Sequence, residues 1–258
     1  MEIIPTNSES LNVEDSTIRF QGAQWFSKIK QLPVVIVGLG GIGSHTAFLI
    51  SRVSPQRLFL IDNDTIEAVN MAGQLYGENE IGLSKAFALT YKLRNLSPTV
   101  SVGYSRERLT TSSELSCGIL ICGFDNMEAR RVAFNKWCRY VTQCANPKEC
   151  LFIDGRLAAE EFQIIAIKGD DKENMKRYMN EFLFSDYEAE ETHCSYKQTT
   201  YAASMIASFI TNIYINFVTN LTINKPDPTA EVMETVMDRP VPFLTYFNAS
   251  LMLFKYEL

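Results

Sequence analysis

The chain has 258 residues, enough to bury a full core as one large α/β domain or as a domain with an appendage. A formal net charge of -6 and a pI near 5.1 argue against nucleic acid as the principal partner. No internal repeat or low-complexity stretch interrupts the sequence, and residues 1–11 do not read as a signal peptide.

The first 30 residues read as an N-terminal helical arm. Within it, Ser16-Thr17-Ile18-Arg19-Phe20 precedes a helix expected over residues 23–29. Next comes Val34-Val35-Ile36-Val37-Gly38-Leu39-Gly40-Gly41-Ile42-Gly43-Ser44, a buried-strand run that breaks into glycines and opens an apolar helix expected over residues 46–53. Such a turn presents bare backbone N–H groups and a helix N-terminus to a phosphate, so the segment predicts nucleotide binding. The following strand, Arg57-Leu58-Phe59-Leu60-Ile61-Asp62, ends in an acid where a βαβ nucleotide fold places the carboxylate that accepts the ribose hydroxyls. Asp62 is the expected ribose partner; the alternative is a polar corner made with Asn63 and Asp64.

Those features alone also fit an NAD-dependent oxidoreductase. The blocks that follow do not. They are Asn63-Asp64-Thr65-Ile66-Glu67-Ala68-Val69-Asn70 with Gln74, then Ile81-Gly82-Leu83-Ser84-Lys85-Ala86, then Ile119-Leu120-Ile121-Cys122-Gly123-Phe124-Asp125-Asn126-Met127-Glu128-Ala129-Arg130-Arg131. In this order, over residues 19–217, they resemble the ThiF/MoeB and ubiquitin-activating (E1-like) family of ATP-dependent adenylyltransferases.

The resemblance implies a Rossmann-like α/β fold, with a mostly parallel sheet, helices on both faces and some antiparallel C-terminal strands, over residues 31–258. It implies ATP held by Gly38, Gly40, Gly41, Gly43 and Asp62, with Asn70, Gln74, Lys85 and Asn126 around it and magnesium on Asp125. It also implies a homodimer in which Arg19 reaches the partner's ATP, and a nucleophilic cysteine at Cys194. Adenylation chemistry asks for the same side chains: attack on an α-phosphate needs cations and N–H donors for the growing oxygen charge, and an acid for the metal. Lys85 and Asp125 suit those two jobs. Asp125 also reads as the N-cap of a helix starting near Met127.

Two departures stand out. Asn70-Met71-Ala72-Gly73-Gln74 carries Gly73 where the family commonly has a phosphate-contacting arginine. None of the six cysteines, Cys117, Cys122, Cys138, Cys144, Cys150 and Cys194, forms a Cys-x-x-Cys pair, so the structural zinc of many relatives is not expected. Cys117 and Cys122 read as core, and the sparse cysteine usage suggests a reducing cytoplasm.

Beyond the nucleotide blocks, Leu151-Phe152-Ile153-Asp154-Gly155-Arg156 and Glu161-Phe162-Gln163-Ile164-Ile165-Ala166-Ile167 predict two antiparallel strands. Residues 168–198 form a crossing segment, strongly charged through Glu191, that reads either as solvated surface or as a loop over the site. Residues 198–224 hold no charge, yet Asn212, Asn216, Asn220 and Asn224 recur every four positions among apolar residues at helical spacing. That is an amphipathic helix packed on a sheet or dimer interface, because amides in hydrocarbon are costly. Lys225-Pro226-Asp227-Pro228 is a loop. Strands expected within residues 240–247 and 251–254 extend the sheet or line the acceptor surface.

The functional expectation is ATP- and magnesium-dependent adenylation of the C-terminal carboxylate of a small ubiquitin-like protein, with a thioester on Cys194 and transfer to a conjugating enzyme to follow. Alternatives are a peptide or tRNA-linked acceptor and a catalytically silent scaffold of the same fold; the absence of a basic patch counts against tRNA.

Overall fold

A computed structural model describes residues 13–184, 199–223 and 237–258. Its centre is an eight-stranded sheet in the order β3-β2-β1-β4-β5-β6-β7-β8. The strands are β1 Pro33–Val37, β2 Arg57–Ile61, β3 Ser101–Ser105, β4 Ile119–Cys122, β5 Leu151–Ala158, β6 Glu161–Lys168, β7 Leu244–Asn248 and β8 Leu253–Glu257. β1 to β5 pair in parallel, and β5 to β8 continue as an antiparallel meander. The mixed sheet with C-terminal antiparallel strands is the one expected.

Alternation along each central strand builds a core on both faces. On one side Val34, Ile36, Leu58, Leu60, Ile121 and Ile153 meet helices α2 (Gly41–Arg52), α3 (Lys85–Leu96) and α6 (Thr200–Asn220). On the other, Val35, Val37, Leu120, Cys122 and Phe152 meet α4 (Met127–Gln143) through Ala133, Phe134, Trp137 and Val141. Cys117 and Cys122 are buried there, as the sequence predicts.

Local outcomes differ from expectation in instructive ways. α2 starts at Gly41 rather than residue 46, because the last glycines of the loop form its first turn. The N-terminal helix spans only Phe26–Ile29 (α1), behind a 3-10 stretch over Val13–Phe20. In the charged segment Asp171 caps a short helix, α5 (Lys172–Arg177), accepting from the Asn174 N–H at 3.0 Å, and a π-helical turn follows over Tyr178–Phe182.

α6 has the length and hydropathy of a membrane span, but it packs against α2 and β5, and Ile206, Ile210 and Tyr214 are fully buried. Its amide stripe holds a neighbouring strand of chain: Asn216 Nδ2 donates to the Pro240 carbonyl at 2.9 Å, and Asn220 exchanges two 2.8 Å bonds with the Arg239 backbone. Asn224, the 225–228 loop and Cys194 lie outside the described residues.

Candidate active site

All five parallel strands point their C-terminal ends the same way, and a cavity of about 960 Å³ opens there. Crevices at this end of a doubly wound sheet are where such folds bind ligands.

The glycine loop forms its inner wall. Gly38 sits at φ +78, and a side chain on it would run into the Gly123 and Phe124 backbone at 2.8 Å. Gly43 is tighter still: its Cβ would lie 1.8 Å from the Gly38 carbonyl oxygen. Glycine at both positions lets β1, α2 and the β4 turn meet with only backbone between them. The start of α2 therefore faces the cavity with its first N–H groups uncapped by any side chain.

Asp62 follows β2 and is buried. It accepts from the Leu39 N–H at 2.6 Å and from the Asp64 N–H at 2.7 Å, which pins its carboxylate against the glycine loop. Burial raises its pKa above the ordinary carboxylate value, and the two N–H donors and Lys85 pull it partly back. Lys85, at the start of α3, is buried with its ammonium 3.1 Å from Asp64. Gln74 also lines the cavity, and its buried Oε1 has no partner. Asn70 does not line it; its Oδ1 accepts from the Glu67 N–H at 2.8 Å and caps a 3-10 turn.

Past β4, Asp125 is exposed at the cavity and Asn126 is the residue that caps α4, accepting from the Ala129 N–H at 2.8 Å. The capping role expected of Asp125 thus belongs to its neighbour, whose Nδ2 also donates to Asp125 Oδ1 at 3.2 Å, and the other carboxylate oxygen is left to the cavity. Among the described residues no group of three or more His, Cys, Asp or Glu side chains is arranged to hold a metal. Magnesium commonly takes one or two carboxylates and fills its octahedron with phosphate oxygens and water. The exposed Asp125 carboxylate, on the same cavity as the glycine loop, fits that ion.

Arg19 is exposed and lies away from the cavity. Its neighbours Thr17 and Phe20 line a small cleft with Ser51, Arg52, Ser54, Ser97 and Thr99, at the C-terminal ends of α2 and α3, opposite the glycine loop.

The far wall is made by residues to which the sequence reading gave no role. Arg130 from α4 and Arg156 from β5 both line the cavity and both bind Asp154, which is wholly buried. Arg156 Nε donates to Asp154 Oδ2 at 2.8 Å and the Tyr178 hydroxyl donates to the same oxygen at 2.9 Å. Leu157, Ala158, Phe162, Gln163 and Tyr246 continue the wall along the meander. The signal for this group was present as an acid inside the apolar run of β5, two residues before an arginine.

Known proteins resemble this chain in sequence and in fold. The ThiF family profile matches residues 14–241. Ubiquitin-like modifier-activating enzyme 5 of Gallus gallus is 34% identical over 134 residues, 46% of this chain and 34% of that protein. The probable molybdopterin-synthase adenylyltransferase of Porphyra purpurea is 31% identical over 120 residues, 45% of this chain and 31% of that protein. The chain thus spans about a third of the length of these curated relatives. Among solved structures, PaaA superposes with a TM-score of 0.68 at 14% identity, covering 99% of this chain and 76% of that one. E. coli MccB with ATP gives 0.64 at 17%, covering 98% and 73%. At those identities the likeness is one of fold. The glycine loop, the strand-end acid, the lysine and the aspartate stand around one cavity, and the chain belongs to the ThiF family.

Proposed function

We propose that this chain is an ATP- and magnesium-dependent adenylyltransferase that activates the C-terminal carboxylate of a small ubiquitin-like protein. The observation that carries the reading is the convergence of Gly38, Gly40, Gly41, Asp62, Lys85 and Asp125 on one cavity, although they come from four separate stretches of sequence. Asp62 takes the ribose hydroxyls, the uncapped start of α2 and Lys85 take phosphate oxygens, and Asp125 holds magnesium. The metal supplies charge neutralisation at the phosphates. Every other task falls to the chain: the N–H groups are already oriented, so no reorganisation accompanies the growing charge. A nicotinamide cofactor would leave Lys85 and Asp125 without a purpose.

The ubiquitin-like acceptor is favoured over a peptide by the curated relative with the higher identity, itself named for ubiquitin-like modifiers. The active form in this proposal is a homodimer in the cytoplasm with Arg19 completing the partner's site, and Cys194 takes the acyl group as a thioester for a conjugating enzyme.

ATP–pyrophosphate exchange tests the reading, with magnesium and a glycine-terminated small protein encoded beside the gene as acceptor. Wild type exchanges label, Asp125→Ala does not, and Cys194→Ala exchanges normally while losing the thiol-reducible conjugate. Exchange at the wild-type rate by Asp125→Ala overturns the assignment of the metal ligand, and an undiminished conjugate in Cys194→Ala removes that cysteine from the reaction.

A further inference from the structure

The buried cluster on the far wall carries more positive than negative charge. Asp154 is one carboxylate, while Arg130 and Arg156 are two guanidinium groups, and their side chains are only 6% and 14% exposed. Arg130 Nη1 donates to Asp154 and, at 3.2 Å, to the Gly155 carbonyl, and Nη2 donates to the Phe124 carbonyl. Its Nε is buried with no partner. Arg156 Nε is taken by Asp154 and one terminal nitrogen donates to the Phe182 carbonyl at 2.7 Å; the other, Nη1, has no hydrogen bond to a described residue.

The excess positive charge faces the cavity through Arg156, and a charge-assisted hydrogen bond to a second anion would balance it. The other acids on the cavity wall are engaged elsewhere: Asp62 with backbone N–H groups, Asp64 with Lys85, Asp125 with the Asn126 amide, and Glu161 with Asn248. Among the described residues no carboxylate of the wall is left for Arg156 Nη1, which stands open to an anion brought by a ligand.

Its location says which one. The glycine loop and Asp62 occupy the β1 and β2 ends, whereas Arg130 and Arg156 stand at the β4–β5 boundary, where the nucleotide half of the cavity gives way to the meander wall of Leu157, Phe162, Gln163 and Tyr246. We propose that Arg156, held in place by Asp154 and Arg130, binds the acceptor's carboxylate and aims it at the α-phosphate. This rests on the adenylation reading given above.

The carboxylate arrives ionised, so no proton moves. One oxygen forms the bond to the α-phosphorus as the bond to the bridging oxygen breaks, and pyrophosphate leaves with that electron pair. The second oxygen becomes the acyl carbonyl and keeps its hydrogen bond to the guanidinium throughout. Held by Asp154 through Nε and by the Phe182 carbonyl through one terminal nitrogen, the guanidinium keeps Nη1 in a fixed plane, which a flexible lysine ammonium does not reproduce.

The test compares the affinities of AMP and of 5′-O-(N-acetylglycylsulfamoyl)adenosine, a stable adenylate analogue that carries a terminal glycine. For wild type the analogue binds at least about tenfold more tightly, the worth of a hydrogen bond from a charged donor. In Arg156→Gln the advantage falls to near unity while AMP affinity is retained, and Arg156→Lys lies between. Retained AMP binding also reports that the variant is folded. A full advantage in Arg156→Gln, or none in wild type that binds AMP, overturns the proposal and leaves the adenylation reading standing. Loss of AMP binding in both variants assigns Arg156 to structure alone and overturns it too. Failure of wild type to bind AMP or ATP instead removes the adenylation reading on which it rests.

Discussion

Single side chains in this protein are held by backbone groups as often as by one another. Asp62 takes two N–H donors, the Tyr76 hydroxyl donates to the Leu39 carbonyl at 2.9 Å, and Ser44 Oγ accepts from the Leu75 N–H at 3.0 Å. The effect is to lock the glycine loop to the segment that carries Gln74. His45 is buried with Nδ1 3.2 Å from Ser204 Oγ, and burial lowers its pKa below the ordinary 6.5 while the Gly73 backbone pulls it partly back. The unfolded chain therefore binds this proton at a higher pH than the folded one does, so the contribution to stability is whole above 6.5 and is lost as pH falls below it. Denaturant midpoints at pH 7.5 and 5.5 are expected to differ less in His45→Gln than in wild type. Equal differences would show that His45 is not the group responsible.

At the scale of elements, the β1–loop–α2 unit sets where everything else stands. Its tolerance for added atoms is close to nil at Gly43, where a methyl group meets the Gly38 carbonyl oxygen, while Gly22 on the arm has nothing within 4 Å of its ideal Cβ position. Gly43→Ala is expected to destabilise the fold by about 3 kcal/mol and to weaken ATP binding, and Gly22→Ala to stay within about 0.5 kcal/mol of wild type. Thermal and denaturant unfolding distinguish the two, and equal stabilities would mean the loop relaxes more easily than its geometry implies.

This unit was legible in the sequence because its signals are local: β-branched residues in a run, glycines immediately after, and an acid at the end of the next strand. Asp125 was legible for the same reason, inside a contiguous block. Asn126 takes the cap: its backbone is extended at the entry to α4 and its side chain accepts from the Ala129 N–H. The Arg130–Asp154–Arg156 cluster left only a partial signal, the acid and arginine within β5, since Arg130 comes from α4 and reaches them only through the parallel pairing of β4 with β5. Tyr178, fully buried against Asp154, was hidden by the charged residues around it in sequence. Composition left that stretch open between solvated surface and a loop over the site, whereas tertiary packing buries Tyr178 against Asp154 and puts Phe184 on the cavity wall.

For the molecule as a whole, the sheet runs unbroken from β3 to β8, so one platform carries the nucleotide end and the meander wall together. Arg19 and its neighbours lie at the opposite end and not on their own chain's cavity, and the role proposed for Arg19 is at the site of a partner subunit. Mixing Arg19→Ala with Asp125→Ala chains is expected to restore part of the exchange activity that each lacks alone, because a mixed dimer holds one intact composite site. No recovery, with mixed dimers verified by mass, would confine Arg19 to the surface.

The central claim is that this cavity is an ATP site rather than a dinucleotide site. Calorimetric titration of the wild-type chain with ATP and magnesium, and separately with NAD, tests it without any acceptor. One ATP bound per chain is expected, with an affinity sharply reduced in Asp62→Ala and no heat from NAD at the same concentrations. NAD binding more tightly than ATP, or ATP binding unchanged in Asp62→Ala, would contradict it.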